Sequence, residues 1–256
     1  MNAWQALAVL LAGVAAGTIN TVVGSGTLIT FPTLLAIGVP PVTANVSNNI
    51  GLVSGGVTGT WGYRRELEGQ DHRLRRLVPM SLLGSVAGAL LLLRLPAAAF
   101  EAIVPVLILI SVVLVLVQPR LAAAVQTRRA AAGRPGDHVG VLAMTGVLLA
   151  GVYGGYFGAA QGVLLIGILG AVLDESLQRI NAAKNLLSLV VNLVAAITFL
   201  VVRPEAVSWT VVVLVAVGSL IGGILGARVG RGLSPVVLRW VVAVVGVVAV
   251  VRLLTS

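Results

Sequence analysis

Apolar residues run along this chain in stretches of about twenty, the helical span of a bilayer's hydrocarbon core, broken by short polar or glycine–proline segments. Backbone groups in lipid must be bonded within their own segment, so the stretches predict helices. No stretch alternates with period two, which disfavours an outer-membrane barrel. The pattern predicts an all-α, polytopic transmembrane helix bundle of about eight spans, at residues 4–23, 42–63, 77–94, 97–117, 139–157, 180–202, 206–227 and 234–253. Two further apolar segments, 25–38 and 160–173, are too short to cross as helices and are flanked by glycine or proline. Each reads as a re-entrant piece or as half of a broken helix.

Two polar stretches divide the spans. Residues 64–76 carry Arg64, Arg65, Arg73, Arg75 and Arg76 and read as a solvated loop. Residues 118–138, with Arg120, Arg128, Arg129 and Arg134, link two halves: a first membrane repeat over 1–118, a polar cytoplasmic linker over 119–138 and a second repeat over 139–256. With both stretches cytoplasmic, both termini fall inside together with Arg203 and Arg252, while Arg179, Arg228 and Arg231 fall outside. Four spans per half make the repeats parallel; a short segment that crosses fully makes them inverted. The sequence leaves both open.

The halves echo each other. With Gly26 laid on Gly162, Asn45 falls on Asn181, Asn48 on Lys184 and Asn49 on Asn185 without a gap. Strict identity is confined to Gly26/Gly162, Leu28/Leu164 and two of the Asn pairs, yet the amides recur at the same helical spacing behind the same glycine-broken segment. This reads as a duplication whose polar residues face one central site.

Composition agrees with the membrane reading. The chain is 58% hydrophobic and 10% charged with mean hydropathy +1.08, against about a quarter charged in soluble domains. Its net charge of +9 would suit nucleic acid, but the basic residues cluster between apolar runs. That is the positive-inside pattern of a multi-pass protein of the cell (inner) membrane, with lipid rather than nucleic acid as partner. The first run has no basic segment before it and reads as a retained span rather than a cleaved signal. The chain has no Cys, which excludes disulfides and thiolate metal sites.

Nothing in the sequence points to an enzyme, a cofactor or a metal. His72 and His138 stand apart in polar stretches, and no nucleophile–base, HExxH or phosphate-loop pattern occurs. No carboxylate lies inside a span: Glu66, Glu68, Asp71 and Asp137 are in loops, and Glu101, Asp174, Glu175 and Glu205 are at span ends. What the spans do carry suits an anion. Gly24-Ser25-Gly26-Thr27 and Gln161-Gly162 open short helical segments, whose first N–H groups and dipole favour negative charge. Asn45 and Asn49, like Asn181 and Asn185, share one helical face at i, i+4 and offer uncharged donors. Lys184, the one lysine, lies a turn inside a span, where an ionisable group faces a cavity or a partner. Blander readings exist: glycines and Asn side chains that pack helices together, a Lys184 that snorkels beside Arg179, and Tyr153 and Tyr156 as interface anchors rather than path lining.

These residues resemble a known family. The segment Ala16-Gly17-Thr18-Ile19-Asn20-Thr21-Val22-Val23-Gly24-Ser25-Gly26-Thr27, the pattern Asn45-x2-Asn48-Asn49, the run Gly151-x3-Gly155-Tyr156-Phe157-Gly158 and the pattern Asn181-x2-Lys184-Asn185 are similar to those of the TauE/SafE sulfite exporter family, also called the 4-toluene sulfonate uptake permease family. Members typically read four glycines at the first break, where this chain reads Gly-Ser-Gly-Thr, and Gly-x-Gly-Gly-Gly at the second, where it reads Gly-Ala-Ala-Gln-Gly. The resemblance implies an inner-membrane permease for small sulfur-containing or organic anions, such as sulfite or organosulfonates.

The expectation is therefore a secondary transporter with its site between the halves. Backbone N–H groups of Gly24, Ser25, Gly26, Thr27, Gln161 and Gly162, side chains of Asn20, Asn45, Asn48, Asn49, Asn181 and Asn185, and the charge of Lys184 would hold the anion. A homodimer is compatible with the sequence. The rivals are an intramembrane enzyme, a membrane-embedded assembly or insertion factor, and a cation carrier, which would need acidic ligands at the midplane.

Overall fold

The computed structural model of the chain describes residues 1–132, 139–229 and 235–255. Eleven α-helices and one short 3-10 turn, Pro204–Ala206, account for the regular structure of the described residues. They are α1 (Ala3–Val22), α2 (Thr27–Ala36), α3 (Pro41–Gly62), α4 (Arg64–Leu67), α5 (Asp71–Arg94), α6 (Ala97–Ala132), α7 (Val141–Tyr156), α8 (Gln161–Val172), α9 (Leu177–Val202), α10 (Trp209–Val229) and α11 (Pro235–Thr255). Five of them are long and apolar enough to cross a membrane, and α2, α7, α8 and the core of α11 are shorter apolar helices. The all-helical, polytopic expectation holds. All four tryptophans, Trp4, Trp61, Trp209 and Trp240, lie near helix ends and are exposed, the placement of an interfacial aromatic belt.

Local chemistry sets several of the ends. Asn2 and Gln5 form a reciprocal capping box at the start of α1, with both bonds 2.9 Å. Pro41 occupies the first turn of α3, where its missing N–H costs nothing. The breaks are built alike. Val23 and Gly24 N–H both donate to Ile19 O as α1 ends, and Phe157 and Gly158 N–H both donate to Tyr153 O as α7 ends. Gly24 (φ +89) and Gly158 (φ +79) take the left-handed turn that such endings favour.

Glycine contacts fix the helix directions. On α1, a Cβ at Gly13 would lie 3.2–3.3 Å from Gly218 and Val215 of α10, Gly17 meets Ser219, and Gly226 meets Thr18 and Thr21. Along α3, Gly51, Gly55 and Gly62 meet Val215, Ser219 and Ala227 in the same order. Hence α1, α3 and α10 run parallel, packed backbone to backbone as small residues permit in membranes. Gly84 on α5 meets Leu148, Gly151 and Val152 of α7, and Gly155 of α7 meets Ser85. Ser85 Oγ also donates to Val191 O, and Gln70 Nε2 to Arg179 O. So α5, α7 and α9 run parallel to one another, and opposite to the first group because α5 turns back from α3.

This geometry settles what the sequence left open. Because α1 and α3 run the same way, α2 carries the chain back between them, and α8 does the same between α7 and α9. The short α2 and α8 are thus return segments rather than full spans, and the helix directions of the first half are inverted in the second. The bundle has a near end, where the chain begins, and a far end. Arg64, Arg65, Arg73, Arg75 and Arg76 lie at the far end, and Arg179 joins them, donating to Glu68 O at 3.0 Å. Arg228, at the close of α10, is there too. The expectation that Arg179 and Arg228 face away from the 64–76 stretch is overturned, as is the placing of both termini and Arg203 on that stretch's side: α1 starts at the opposite end. The same contacts correct the solvated-loop reading of 64–76. Asp71–Arg76 are the first turns of α5, and Arg73 is buried against Glu175. The polar stretch after residue 118 continues α6 to Ala132; Arg134, Asp137, His138 and Arg231 lie outside the described residues.

Candidate functional site

The two breaks meet at the centre of the bundle. Gly162 N–H donates to Gly24 O at 3.1 Å, and a Cβ on either glycine would come within 2.5 Å of the other's Cα. Only residues without side chains allow this crossing. The repeat register also changes here. The second short helix has 12 residues against 10 in the first, so Thr27 corresponds to Gln161 at the helix starts, while Asn45 still corresponds to Asn181.

Around the crossing, side chains of each group close the broken helix of the other. Lys184 is fully buried, and its Nζ donates to Asn20 O at 2.8 Å and Thr21 O at 3.3 Å. Asn181 Nδ2 and Asn185 Nδ2 also donate to Thr21 O, at 3.1 and 3.3 Å. These carbonyls close α1 and would otherwise be orphans. The ammonium sits at the negative end of the α1 dipole, a favourable place for a cation. In the other direction Asn45 Nδ2 donates to Tyr156 O, the last carbonyl of α7, at 2.9 Å. Asn48 instead reaches Thr27 Oγ1 at 3.5 Å, and Asn49 reaches Asn192 Oδ1 at 3.4 Å. Asn20 Oδ1 accepts from Gly26 N–H at 2.7 Å, which occupies one of the first donors of α2.

Beside these closures lies a small cavity of about 30 Å³, room for about one water molecule. Of the residues expected from sequence, Asn20, Gly24, Thr27, Gln161, Gly162 and Asn185 line it. Asn45, Asn48, Asn49, Asn181, Lys184, Ser25 and Gly26 are not among the lining residues. Several buried polar atoms there have no partner: Ser25 Oγ, Asn48 Oδ1, Asn49 Oδ1, Asn181 Oδ1, Gln161 Nε2 and Ser188 Oγ. Such atoms are costly in apolar surroundings unless a ligand or water completes them. Tyr153 and Tyr156 do not line the cavity. Tyr153 shares a 2.6 Å bond with Ser111, and Tyr156 stacks edge-on against Phe100.

The electrostatics of the centre have one sign. The buried charged residues among those described are Arg73 and Lys184, and Arg73 is paired with Glu175 at the far end. No group of three or more His, Cys, Asp or Glu side chains among the described residues could hold a metal ion.

The sequence profile described as "Sulfite exporter TauE/SafE" matches residues 9–253. The chain belongs to the TauE/SafE family. It is 26% identical over 241 residues to the "probable membrane transporter protein YfcA" of Escherichia coli (strain K12), covering 93% of this chain and 86% of that protein. It is 27% identical over 245 residues to the "probable membrane transporter protein ORF9" of Sinorhizobium sp, covering 94% and 89%. A "probable membrane transporter protein" of Haemophilus influenzae is 26% identical over 219 residues, covering 84% and 81%. No solved structure matches the chain. As a TauE/SafE protein, this chain is a multi-pass membrane transporter.

Sequence reasoning missed part of this TauE/SafE protein's cavity wall. Gly55, Gly59, Gly158, Ser188 and Asn192 also line it. Asn192 and Ser188 lie on α9 at helical spacing from Asn185, so continuing the polar face of Asn181 and Asn185 by further turns would have found them. The glycines carried no such signal, because glycines throughout this bundle also serve close helix packing.

Proposed function

We propose that this transporter moves a small sulfur-containing or organic anion, sulfite or an organosulfonate, across the inner membrane, with export as its direction. The observation that carries the reading is the fully buried Lys184 at the crossing of two broken helices, with no buried carboxylate among the described residues. A cation would meet a positive centre there, which disfavours the cation-carrier alternative. Asn20, Gln161, Asn185, Ser188 and Asn192 at the cavity supply amides and a hydroxyl that suit an oxyanion which must also be released, and Lys184 supplies charge beside them. The cavity is too small for such an anion as it stands, so the reading requires a change of shape before binding.

The two halves act as inverted repeats in this account. The moving bodies, however, are α1–α3–α10 and α5–α7–α9, each of which takes helices from both halves. Alternating access is the rocking of one group against the other along the α3–α9 seam. The arginines at the far end favour a cytoplasmic position for that end by the positive-inside rule. An inside-negative potential then favours anion exit by about 2.3 kcal/mol per charge per 100 mV, so export needs no further energy source.

The test is sulfite flux in proteoliposomes under a clamped membrane potential. Saturable flux that rises with the potential in the outward sense is expected. Absence of flux for sulfite, sulfonates and every other small anion tried would overturn the reading.

A further inference from the structure

The two closures of the broken helices lie toward opposite ends of the bundle: that of α1 forms part of the cavity wall through Asn20, Thr21 and Asn185, and that of α7 lies outside the lining. Toward the near end, Asn45 of α3 closes α7 at Tyr156 O. Toward the far end, Asn181, Lys184 and Asn185 of α9 close α1 at Asn20 O and Thr21 O. Each closure joins one three-helix group to the other, so each must break if the groups part on its side. Parting on one side does not require the other closure to break.

The closures are built from matching positions but are not equal. Asn45 and Asn181 are each the fifth residue of their helix, and Asn48 and Lys184 are each the eighth. At the near side a single neutral amide makes the bond, because Asn48 turns to Thr27 Oγ1. At the far side two amides and an ammonium converge. A bond from a charged donor is about twice as strong as a neutral one, and this one faces the negative end of α1.

We propose that the two closures are the alternating latches of the transport cycle, and that Lys184 makes the far latch the stronger. The empty protein then rests shut at the arginine end and opens first at the near end. The inference rests on the reading of the central cavity as the transport site, but its test needs no substrate.

This chain has no Cys, so a single reporter can be added. Ser188→Cys places a thiol in the cavity wall, and His72→Cys in a separate sample marks the far end. The probe is a membrane-impermeant maleimide applied to vesicles of either orientation. With otherwise native residues, Ser188→Cys is expected to label at least fivefold faster from the near end. Adding Lys184→Asn, which copies the neutral residue of the near latch, is expected to raise far-end labelling at least fivefold. Adding Asn45→Ala is expected to raise near-end labelling alone. Faster labelling from the far end with native latches, or equal acceleration at both ends in either variant, would overturn the proposal. If Lys184→Asn fails to fold, the end preference with native latches and the Asn45→Ala result still decide. Anion flux without this labelling pattern would sink the latches but keep the transport reading. The pattern without anion flux would do the reverse.

Discussion

Asn45 and Asn181 hold the same place in α3 and α9, and each donates its side-chain amide to a closing carbonyl of the other group's broken helix, Tyr156 O at 2.9 Å and Thr21 O at 3.1 Å. The two bonds are alike in chemistry but differ in redundancy. Tyr156 O has Asn45 as its side-chain donor, whereas Thr21 O is approached by Asn181, Asn185 and Lys184. A carbonyl has two lone pairs, so Thr21 can lose one donor and remain satisfied.

This difference predicts unequal mutational costs. Asn45→Ala leaves Tyr156 O orphaned in the interior and should destabilise the protein by about 1–3 kcal/mol. Asn181→Ala should cost less, because two donors remain on Thr21. Thermal melting of the two variants in detergent checks the order; equal losses would contradict it.

Lys184→Met removes the donor to Asn20 O and the positive charge beside the cavity wall. Anion flux should fall at least tenfold, about 1.4 kcal/mol or more in the barrier, while the protein still assembles. Flux in proteoliposomes beside a size-exclusion profile separates the two effects.

Gly24→Ala meets two obstacles, a positive φ and the Gly162 backbone at 2.5 Å. Gly38 has nearly the same φ, +87, but nothing within 4 Å of the added methyl. Gly38→Ala should therefore cost only the backbone strain, about 1–2 kcal/mol, and Gly24→Ala clearly more. Comparing the two melting temperatures isolates the cost of pushing the breaks apart.

At the far end, Glu175 bonds both Arg73 and Arg179. Its partial burial alone would raise the carboxyl's pKa, but the two guanidiniums outweigh that and hold it below its ordinary value. A carboxyl depressed in the folded state adds stability above its unfolded pKa, and that stability is lost as pH falls through the folded one. Melting temperature should thus decline as pH drops below the ordinary carboxylate range, and Glu175→Gln should flatten that part of the decline. A decline unchanged in the variant would assign it to other carboxylates.

Much of the fold was legible because its signals are local. Apolar length gave the spans, since a helix must satisfy its own backbone in lipid. Gly24 and Pro40-Pro41 marked the first break because a left-handed turn and a missing N–H are written in single residues. The polar stretches were harder. Residues 71–76 read as a loop by charge, yet they form the start of α5, because Arg73 finds Glu175 across the bundle and so tolerates burial.

By itself, then, the sequence determined a helical membrane protein with two broken segments, an uncharged amide face behind each break, one lysine in a span and no carboxylate beside it. Only the tertiary structure decided that α2 and α8 return the chain, that the helix groups draw on both halves, and that Asn45, Asn181 and Lys184 are bonded to the ends of broken helices. The reason is physical. Apolar periodicity and chain stiffness act over a few residues, but an amide or ammonium donor suits a helix-end carbonyl as well as an anion. Which of these it meets depends on partners more than a hundred positions away.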